Sequence, residues 1–388
     1  SQLLLVFDCV YVHTGIVYSP FSDFKGFNGD NGVMSQIQNH LESSSHILVL
    51  GMGGTIAGLA SNPDSKPLQY DAGQVEISAL LAQIQSAIPG EIGLVSEQLA
   101  NINSCNMSEP LLTLLGRAVK DALDNSRVEG IVITHGTDTI EETGLFLQLV
   151  CGRFAQNLGK RVVLTGAMLP ANASNADGLK NLLDAIHWAA SPLDNSPGGI
   201  YAVMGGRVCM AMDLAKRHTT ALNAPIQSSP SSPVGLINPS WLSGVKAAEI
   251  AWHEDLFIPD GDVWPWVEIL TSHTGARSET INLWLESKVQ GLVLAGTGMG
   301  SLHEHWLEPL SKASKQGVAI VRASRPGAGQ VLPNIPEKDF AGCMAAGKFS
   351  APKARIALQL ALYAEKQAKS AGKSLTWQDF FARIAVLP

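Results

Sequence analysis

The chain has 388 residues, of which 46% are hydrophobic and 16% are charged, and its formal net charge is -7. This length suits two domains with a substantial buried core, and the composition excludes a chain that is mainly disordered. The acidic balance, without a run of lysine and arginine, argues against nucleic acid or an anionic membrane as the main partner, so a small-molecule ligand is favoured.

The first part of the chain carries few interpretable features. Residues 1–45 match no recognisable pattern, and we predict an N-terminal extension to which the sequence assigns no role. The short apolar run at residues 3–7 lacks the basic flank and the length of a signal peptide. No apolar run approaches the roughly 18 residues of a membrane-spanning helix, so we expect no transmembrane segment.

From Ile47 onward, short apolar runs typical of strands alternate with segments of helical periodicity. The expected strands are residues 47–50, 92–96, 130–134, 161–164 and 200–204. The expected helices lie near residues 78–87, at 109–124, from residue 140 onward, and at 178–190. Strands and helices in this alternation predict right-handed βαβ units and a doubly wound, mostly parallel sheet over residues 46–240.

A shift in composition separates this region from the rest of the chain. Serine, proline and tryptophan dominate between about residues 224 and 265, and we predict a linker at 241–265. The alternation then resumes, with strands expected at 267–271, 291–295 and 318–322, and helices at 280–288, 303–315 and 351–369. The predicted fold class is therefore two-domain α/β, with a smaller C-terminal α/β domain over 266–388. Trp264 and Trp266 are expected to pack at the domain interface.

The cysteines indicate the redox compartment. There are five, an odd number, and they are scattered along the chain: Cys9, Cys105, Cys151, Cys209 and Cys343. This usage predicts reduced thiols rather than a disulfide framework, and we therefore expect the protein in the cytoplasm.

The first candidate site is the stretch I-L-V-L-G-M-G-G-T-I-A-G at residues 47–58, where a buried strand ends in glycines and then Thr55. Ligands of parallel sheets bind outside the carboxyl ends of strands, where glycines let the backbone approach closely. A tight turn without chemistry is the alternative. A dinucleotide fingerprint is disfavoured, because the third glycine is misplaced.

A second strand end, G-I-V-I-T-H-G-T-D-T, resembles the first and places Thr137 and Asp138 beyond the strand, at the exposed end that begins with His135. A hydroxyl, a carboxylate and free backbone donors suit holding an amino group and activating a nearby hydroxyl. Alternatively, Asp138 caps the following helix, with Glu141 as its capping-box partner.

Together, G-G-T-I-A-G and H-G-T-D-T resemble the bacterial-type L-asparaginase and glutaminase-asparaginase family. The resemblance extends over about residues 46–366 through N-I-N-S-C-N-M, T-G-A-M-L-P, A-D-G, D-L-A-K-R-H-T-T, A-G-T-G-M-G, V-R-A-S-R-P and P-K-A-R. It implies hydrolysis of L-asparagine to L-aspartate and ammonia through a threonine acyl-enzyme, without metal or other cofactor, with possible side activity on L-glutamine. It also implies a homodimer or homotetramer with the site near a subunit interface.

The resemblance assigns the catalytic residues. Thr55 resembles the nucleophile, and Thr137, Asp138 and Lys216 match the second threonine, the aspartate and the lysine, which can act as a base when burial lowers its pKa. Taken alone, Lys216 would be read as a solvated surface lysine. The polar, turn-rich residues 59–73 are expected to form a mobile lid, and Tyr70 within them resembles the tyrosine that helps to activate the nucleophile.

The implied substrate-binding residues are Asn103, Ser104, Cys105, Asp138 and Ala167. Ser104 resembles the serine that binds the substrate α-carboxylate, and Asp138 the carboxylate that meets the α-ammonium. Cys105 stands where many members of the family have glutamine, and a thiol is a weak hydrogen-bond partner. Family positions supplied by a neighbouring subunit have no clear match, since Gly275 falls near one, and Asn334 or Ile335 near the other.

Other functions were weighed against this one. A non-catalytic sensor of aspartate or asparagine needs no nucleophile, and the amidase subunit of an archaeal-type tRNA-dependent amidotransferase needs a tRNA-facing domain and a basic surface. An NAD-dependent oxidoreductase depends on the disfavoured fingerprint. His303-Glu304-His305 lacks the spacing of a metal pair on a helix and is expected to be a solvated helix start.

Overall fold

Two sheets organise the part of the chain that the structure describes. The structure is a computed structural model, and it describes residues 45–192, 197–221, 235–236, 256–261, 263–333, 335 and 342–385. These residues belong to one compact unit, Ser45–Pro388. The predicted N-terminal extension, except Ser45, and most of the predicted linker lie outside the described residues, so their assignment stays a prediction.

The N-terminal lobe is built on the larger sheet. In chain order, its strands are β1 (His46–Gly53), β2 (Leu59–Ala60), β3 (Tyr70–Asp71), β4 (Leu94–Ile102), β5 (Val128–Thr134), β6 (Arg161–Thr165), β7 (Gly199–Met204), β8 (Arg207–Met210) and β9 (Gly235–Leu236). Seven of them form a sheet in the order β4-β1-β5-β6-β7-β8-β9, and β2 and β3 form a separate pair. The first five strands in this order (β4, β1, β5, β6 and β7) are parallel to one another. Strands β8 and β9 continue the sheet with antiparallel pairing.

Helices cover both faces of this sheet, as its apolar strands require. They are α1 (Ile77–Ile84), α2 (Glu109–Asp124), α3 (Ile140–Asn157) and α4 (Gly178–Ala190). Successive side chains of a strand point to opposite faces. Ile47 and Val49 of β1 accordingly pack with α1 and α4, whereas Leu50 and Met52 pack with α2 and α3. The lobe is therefore doubly wound.

The order in which successive strands are added to the sheet changes direction at β1. The chain runs from β1 to β4 on one side and then crosses over to β5 on the other side of β1. Such a switch point opens a crevice beyond the carboxyl ends of the strands, because the flanking connections leave on opposite faces of the sheet. Topology alone thus locates a ligand site where β1, β4 and β5 end.

The C-terminal lobe repeats the architecture on a smaller scale. Its elements are β10 (Val267–Thr271), α5 (Glu279–Glu286), β11 (Gly291–Gly296), α6 (Glu304–Lys315), β12 (Ala319–Ser324), β13 (Cys343–Ala345), α7 (Ala351–Ser370) and α8 (Trp377–Ala385). The four strands form a parallel sheet in sequence order. One apolar cluster runs from the larger sheet through α3 and α7 to the smaller sheet, so the lobes share a core.

The predicted fold class is confirmed. Two predicted helices, Glu109–Asp124 and Gly178–Ala190, have the expected bounds. The prediction for the tryptophans is half right: Trp264 packs on Phe146 of α3 at 5.6 Å between ring centroids, as expected of an interface residue. Trp266 instead lies against Trp284 of its own lobe and is 41% exposed, because its position just before β10 turns it towards α5.

Several short elements were not predicted. The β2–β3 pair lies inside the expected lid loop, and its strands of two residues are too short for a periodicity signal. Strand β8 follows a two-residue turn, Gly205-Gly206, both with positive φ, which is the usual signature of a tight hairpin and could have revealed it. Within the described residues, no helix combines the length and the apolar composition needed to cross a bilayer.

The close approach of two strand ends predicts a strong effect at Gly54, which has φ 83. A Cβ atom there would overlap the backbone of Gly136, whereas one on Gly206, at φ 70, would meet open space. Both alanine variants suffer the strain of a positive φ, about 1–2 kcal/mol. We expect Gly54→Ala to lose about 1–3 kcal/mol more in the free energy of unfolding, because the strand ends must move apart. Urea unfolding checks this, and equal losses in both variants would contradict it.

Candidate active site

Three strand ends meet at the switch point and bring the predicted motifs together. Thr55 follows β1, Ser104 follows β4, and Thr137 follows β5. The backbone N–H of Gly54 donates to the carbonyl of Ile102 at 2.8 Å, which joins the ends of β1 and β4. The side chains of these three polar residues are each at least 93% buried, with exposures of 7%, 2% and 5%. The three strand ends therefore gather three buried hydroxyl groups.

Thr55 has a specific partner. It begins a 3-10 turn, Thr55–Ala57, and its Oγ1 lies 2.7 Å from the hydroxyl oxygen of Tyr70, where either group can donate. Tyr70 reaches this position because β3 pairs with β2 and returns over the end of β1. The base of this hairpin is held by Asn172, whose amide exchanges two hydrogen bonds with the backbone of Ala60 at 2.9 and 2.7 Å. The predicted lid thus places its tyrosine on the predicted nucleophile.

Asp138 and Lys216 form an ion pair. The Nζ of Lys216 donates to Oδ1 of Asp138 at 2.6 Å, and the side chains are 22% and 50% exposed, respectively. Exposure to this degree screens the pair, so its contribution to stability is small, about 0–1 kcal/mol. The pair nevertheless ties Lys216 to the strand end that carries Thr137, so Lys216 is not a solvated surface lysine.

The capping interpretation of Asp138 is wrong. Helix α3 begins at Ile140 with Thr139 at its N-cap position, and no side chain makes the capping bond. Asp138 lies one residue too early, so its carboxylate points away from the helix to Lys216, while its backbone N–H donates to the Oγ of Ser104 at 3.2 Å. Thr139 also donates to the carbonyl of Ser104 at 2.8 Å, which joins the ends of β4 and β5.

The other predicted substrate-binding residues differ in what they can offer. Cys105 is exposed beside Ser104, so its side chain is available to a ligand. Asn103 caps the turn Ser104–Asn106 by accepting from the N–H of Cys105 at 3.5 Å. Ala167 is fully buried in the apolar core, so in this structure it offers no accessible group to a ligand. Gly275 lies in a turn after β10, and Asn334 lies outside the described residues.

His135 is a feature that the sequence analysis placed wrongly, at an exposed strand end. It is 1% exposed, its Nδ1 lies 2.7 Å from the carbonyl oxygen of Gly136, and its Nε2 lies 3.1 Å from Oγ1 of Thr143. A carbonyl only accepts, so the Nδ1 carries the proton and Thr143 donates to Nε2. Burial lowers the pKa of His135 to about 4. A neutral histidine thus braces the turn just before Thr137.

A cavity adjoins the site without containing its centre. It has a volume of about 400 Å³ and lies between the segment that carries Lys216 and the C-terminal lobe, where Ser324, Phe349 and Lys353 line it. Thr55, Tyr70 and Ser104 are not among its lining residues, so the strand-end cluster rather than this cavity is the candidate for the chemistry.

The turn after Gly54 and the segment His303–His305 were the two places with an alternative cofactor or metal pattern. After Gly54 the chain forms a turn of three residues, not the long helix whose N-terminus would hold a pyrophosphate. His303 and Glu304 begin α6, with His303 at the N-cap and Glu304 and His305 exposed, as expected of a solvated helix start. Within the described residues, no group of three histidine, cysteine, aspartate or glutamate side chains is placed to hold a metal ion.

Comparison with protein families gives two matches that together cover most of the chain. Residues 46–247 match the model described as "Asparaginase, N-terminal", and residues 266–373 match the "Glutaminase/Asparaginase C-terminal domain". Both matches fall on the lobes described above, and the first contains all the motifs gathered at the ends of β1, β4 and β5.

Individual relatives agree with the family matches. The chain is 32% identical to L-asparaginase 2 of Bacillus subtilis, covering 93% of this chain and 95% of the relative. It is 34% identical to the probable periplasmic L-asparaginase of Haemophilus influenzae, with 84% and 90% covered, and 31% identical to the glutaminase-asparaginase of Pseudomonas fluorescens, with 84% and 88% covered. A crystal structure of a probable cytoplasmic L-asparaginase from Campylobacter jejuni superposes with a TM-score of 0.73 at 29% identity, covering 88% of this chain and all of that one.

The buried His135 predicts a pH dependence of stability. Its pKa falls from 6.5 when unfolded to about 4 when folded, so between these values only the unfolded chain takes up a proton. Its contribution to stability is present above pH 6.5 and is lost as the pH falls towards 4. At pH 4.5 we expect this loss to reach about 2–3 kcal/mol.

Urea unfolding of the wild type and of His135→Gln checks this prediction. Glutamine does not titrate, so the difference in unfolding free energy between the two proteins should shrink from pH 8 to pH 4.5 by that amount. A difference that is constant with pH would show that His135 is not held neutral.

Proposed function

The chain belongs to the asparaginase family of enzymes, and from this premise we propose that it hydrolyses the side-chain amide of L-asparagine to L-aspartate and ammonia. The observation that carries the proposal is the pairing of Thr55 with Tyr70 at 2.7 Å, at the sheet edge where the topology opens a crevice. A hydroxyl at such a position with a second hydroxyl to exchange its proton is the arrangement that nucleophilic catalysis needs.

In the proposed mechanism, Thr55 is the nucleophile. Its Oγ1 attacks the amide carbonyl carbon as its proton passes to the hydroxyl oxygen of Tyr70, which is within hydrogen-bond reach, while Tyr70 gives its own proton to the amide nitrogen and so stays neutral. The C–N bond then breaks, the nitrogen leaves as ammonia with a returned proton, and the aspartyl group stays on Thr55 as an ester. Water adds to this ester, releases aspartate and restores the hydroxyl of Thr55.

The second set of residues supports the reaction from the neighbouring strand end. Lys216, Asp138 and Thr137 would act together, because the 2.6 Å ion pair places the lysine beside the turn that holds both other residues. In this arrangement Lys216, when it gives up a proton, serves as a base towards Thr137 or the attacking water. Asp138 orients it and stabilises its charged form.

We assign substrate orientation to Ser104 and Asp138. Asp138 is half-exposed, so its second carboxylate oxygen is accessible to the α-ammonium of an amino acid. Ser104 lies beside it and accepts from its backbone N–H, which brings a hydroxyl and a carboxylate to neighbouring positions. Together with the side-chain amide held at Thr55, two contacts of this type fix both the position and the handedness of an amino-acid substrate.

Activity on L-glutamine is proposed as a side reaction. Several relatives are named glutaminase-asparaginases, and the residue beside Ser104 is the exposed Cys105. A thiol is a weaker hydrogen-bond partner than a side-chain amide, so it constrains the substrate less. It is also shorter than glutamine, so it leaves more room in the pocket for the additional methylene group of L-glutamine. No finding favours the sensor, the amidotransferase subunit or the NAD-dependent oxidoreductase, and the activated hydroxyl of Thr55 has no use in a binding protein.

Assembly and location complete the proposal. We propose a homodimer or homotetramer whose neighbouring subunit completes the substrate pocket, as the resemblance to the asparaginase family implies. We propose the cytoplasm as the compartment on the basis of the odd number of cysteines. The similar proteins include one named cytoplasmic and one named periplasmic. Cell fractionation would determine the compartment of this protein.

The roles proposed for Thr55 and Tyr70 predict different activities for three variants. Thr55→Ala should release ammonia from L-asparagine at least about 10³-fold more slowly than the wild type, because the acyl acceptor is gone. Thr55→Ser should retain measurable turnover, since it keeps the hydroxyl. Tyr70→Phe should lose about 10²- to 10⁴-fold in kcat, the usual contribution of a proton-transfer group.

Steady-state ammonia release measures these rates, and hydroxylamine tests the ester, because it diverts an acyl-enzyme to aspartyl hydroxamate. Undiminished turnover in Thr55→Ala would reject the nucleophile. Stoichiometric binding of aspartate by calorimetry, with no turnover in the wild type, would instead support the sensor.

Cys105 predicts a change in substrate selection. In Cys105→Gln, an amide replaces the thiol and can bond to the bound amino acid, so we expect KM for L-asparagine to fall about 5-fold, the equivalent of one neutral hydrogen bond. The kcat/KM for L-glutamine should fall relative to that for L-asparagine, because the longer side chain narrows the pocket. The matched control is Cys105→Ala, which removes the thiol without adding an amide. Unchanged kinetics in Cys105→Gln would show that this side chain does not face the substrate.

A further inference from the structure

The P-K-A-R motif at residues 352–355 has no role in the mechanism above. It forms the first turn of α7, and Lys353 within it is 5% exposed. The Nζ of Lys353 donates to the backbone carbonyl of Met212 at 2.7 Å, across the boundary between the lobes. The motif therefore joins the C-terminal lobe to the N-terminal lobe through a buried cation.

Met212 lies close to Lys216 in the chain, so this contact bears on the candidate site. Met212 lies in the 3-10 turn Ala211–Asp213, and only Asp213, Leu214 and Ala215 separate it from Lys216. Ala211 and Leu214 are fully buried, and the N–H of Leu214 donates to the carbonyl of Ala211 at 3.3 Å. Anchoring Met212 thus fixes the start of a short, packed segment that ends at Lys216.

The same helix contacts the segments next to the other two motifs. Ser350, the N-cap residue of α7, donates to Oε1 of Glu141 at 3.0 Å, in the first turn after Asp138. Arg355 donates to Oε1 of Glu109 at 2.8 Å, at the start of the helix that follows Ser104. The start of α7 therefore holds three chain segments, each within five residues of a site motif.

Stability alone does not explain a lysine at this place. A cation in the first turn of a helix opposes the helix dipole, and an ammonium removed from water costs several kcal/mol, which the carbonyl of Met212 and the charges of Glu141 and Asp213 offset only in part. Burial lowers the pKa of Lys353, against the opposing effect of Glu141, Asp213 and Cys209, with Arg217 lowering it slightly further. Even buried ion pairs are often replaceable by apolar residues without loss of stability, so the specific consequence of this ammonium is the geometry of its contact with Met212.

We propose that Lys353 is a positioning residue for the proposed catalytic base: through Met212 it holds the segment that presents Lys216 to Asp138. This inference rests on the proposed function. Displacement of a catalytic group by about 1 Å lowers the rate about 10²-fold. Loss of the hydrogen bond from Lys353 to Met212 is therefore expected to lower kcat. Substrate binding through Ser104 does not depend on it.

The test compares three variants of the full-length protein. In Lys353→Met, which keeps the length of the side chain but not the donor, kcat for L-asparagine should fall about 10- to 100-fold. KM, and the affinity for aspartate measured by calorimetry, should change less than about threefold. Lys353→Arg, which keeps a donor, should recover part of kcat. The matched control is Lys348→Met, because Lys348 is exposed and lines the same cavity, and it should leave kcat unchanged.

A second readout does not depend on turnover. Lys216 is labelled with an amine-acylating reagent and its modification is followed by peptide mass spectrometry. In Lys353→Met, which lacks the hydrogen bond to Met212, the labelling rate of Lys216 should change at least about threefold, because the ion pair of Lys216 with Asp138 is loosened. In Lys348→Met the labelling rate should not change. If Lys353→Met does not fold, Lys353→Gln, with a shorter donor, is measured in the same way.

The outcomes separate the two proposals. A wild type that releases no ammonia rejects the proposed function, while the labelling of Lys216 still tests the anchor. Turnover in the wild type together with unchanged kcat and unchanged labelling in a folded Lys353 variant overturns the positioning role. A lower melting temperature with unchanged kcat has the same consequence, since it shows a purely structural lysine.

Discussion

The candidate site depends on one geometric constraint, the close approach of three strand ends at the switch point around β1. The backbone after β1 can lie against the backbone after β5 only because neither Gly54 nor Gly136 carries a side chain. The hydrogen bond from Gly54 to Ile102 adds the end of β4. Everything proposed about Thr55, Ser104 and Thr137 follows from this contact, since each belongs to a different strand end.

The polar groups around these strand ends divide into two kinds. His135 is buried and held neutral, so it acts as a brace whose hydrogen bonds fix the turn without adding charge. Asp138 and Lys216 are paired but partly exposed, so they remain accessible and can exchange the partner for a substrate group. A neutral, buried support beneath an accessible charged pair is a suitable arrangement for binding a zwitterionic amino acid, because the support does not compete for the ligand.

Much of this arrangement could be predicted from sequence, and the remainder has identifiable causes. The apolar runs of β1 and β5 and the periodicity of α2 and α4 are local signals, so the doubly wound fold and the strand-end threonines were predicted. The β2–β3 pair and the true position of Asp138, one residue before the N-cap, depend on contacts with distant residues and left no periodicity. His135 was placed at an exposed end because nothing local shows that Thr143 and Gly136 enclose it. The pairing of Tyr70 with Thr55 was implied by resemblance alone, because no local pattern predicts how a loop folds back.

The shared core connects the smaller lobe to the segments that carry the site motifs. Helix α7 is packed between the two sheets, with Ile356 and Leu360 in the same apolar cluster as Phe146 of α3. Apolar packing of this kind is insensitive to direction, so it joins the lobes without fixing their register to within a fraction of an ångström. The polar contacts at the start of α7 are directional, and they lie on the segments that carry the site motifs. The core therefore holds the lobes together, and the directional polar contacts at the start of α7 set the position of the C-terminal lobe against the segments that carry the site motifs.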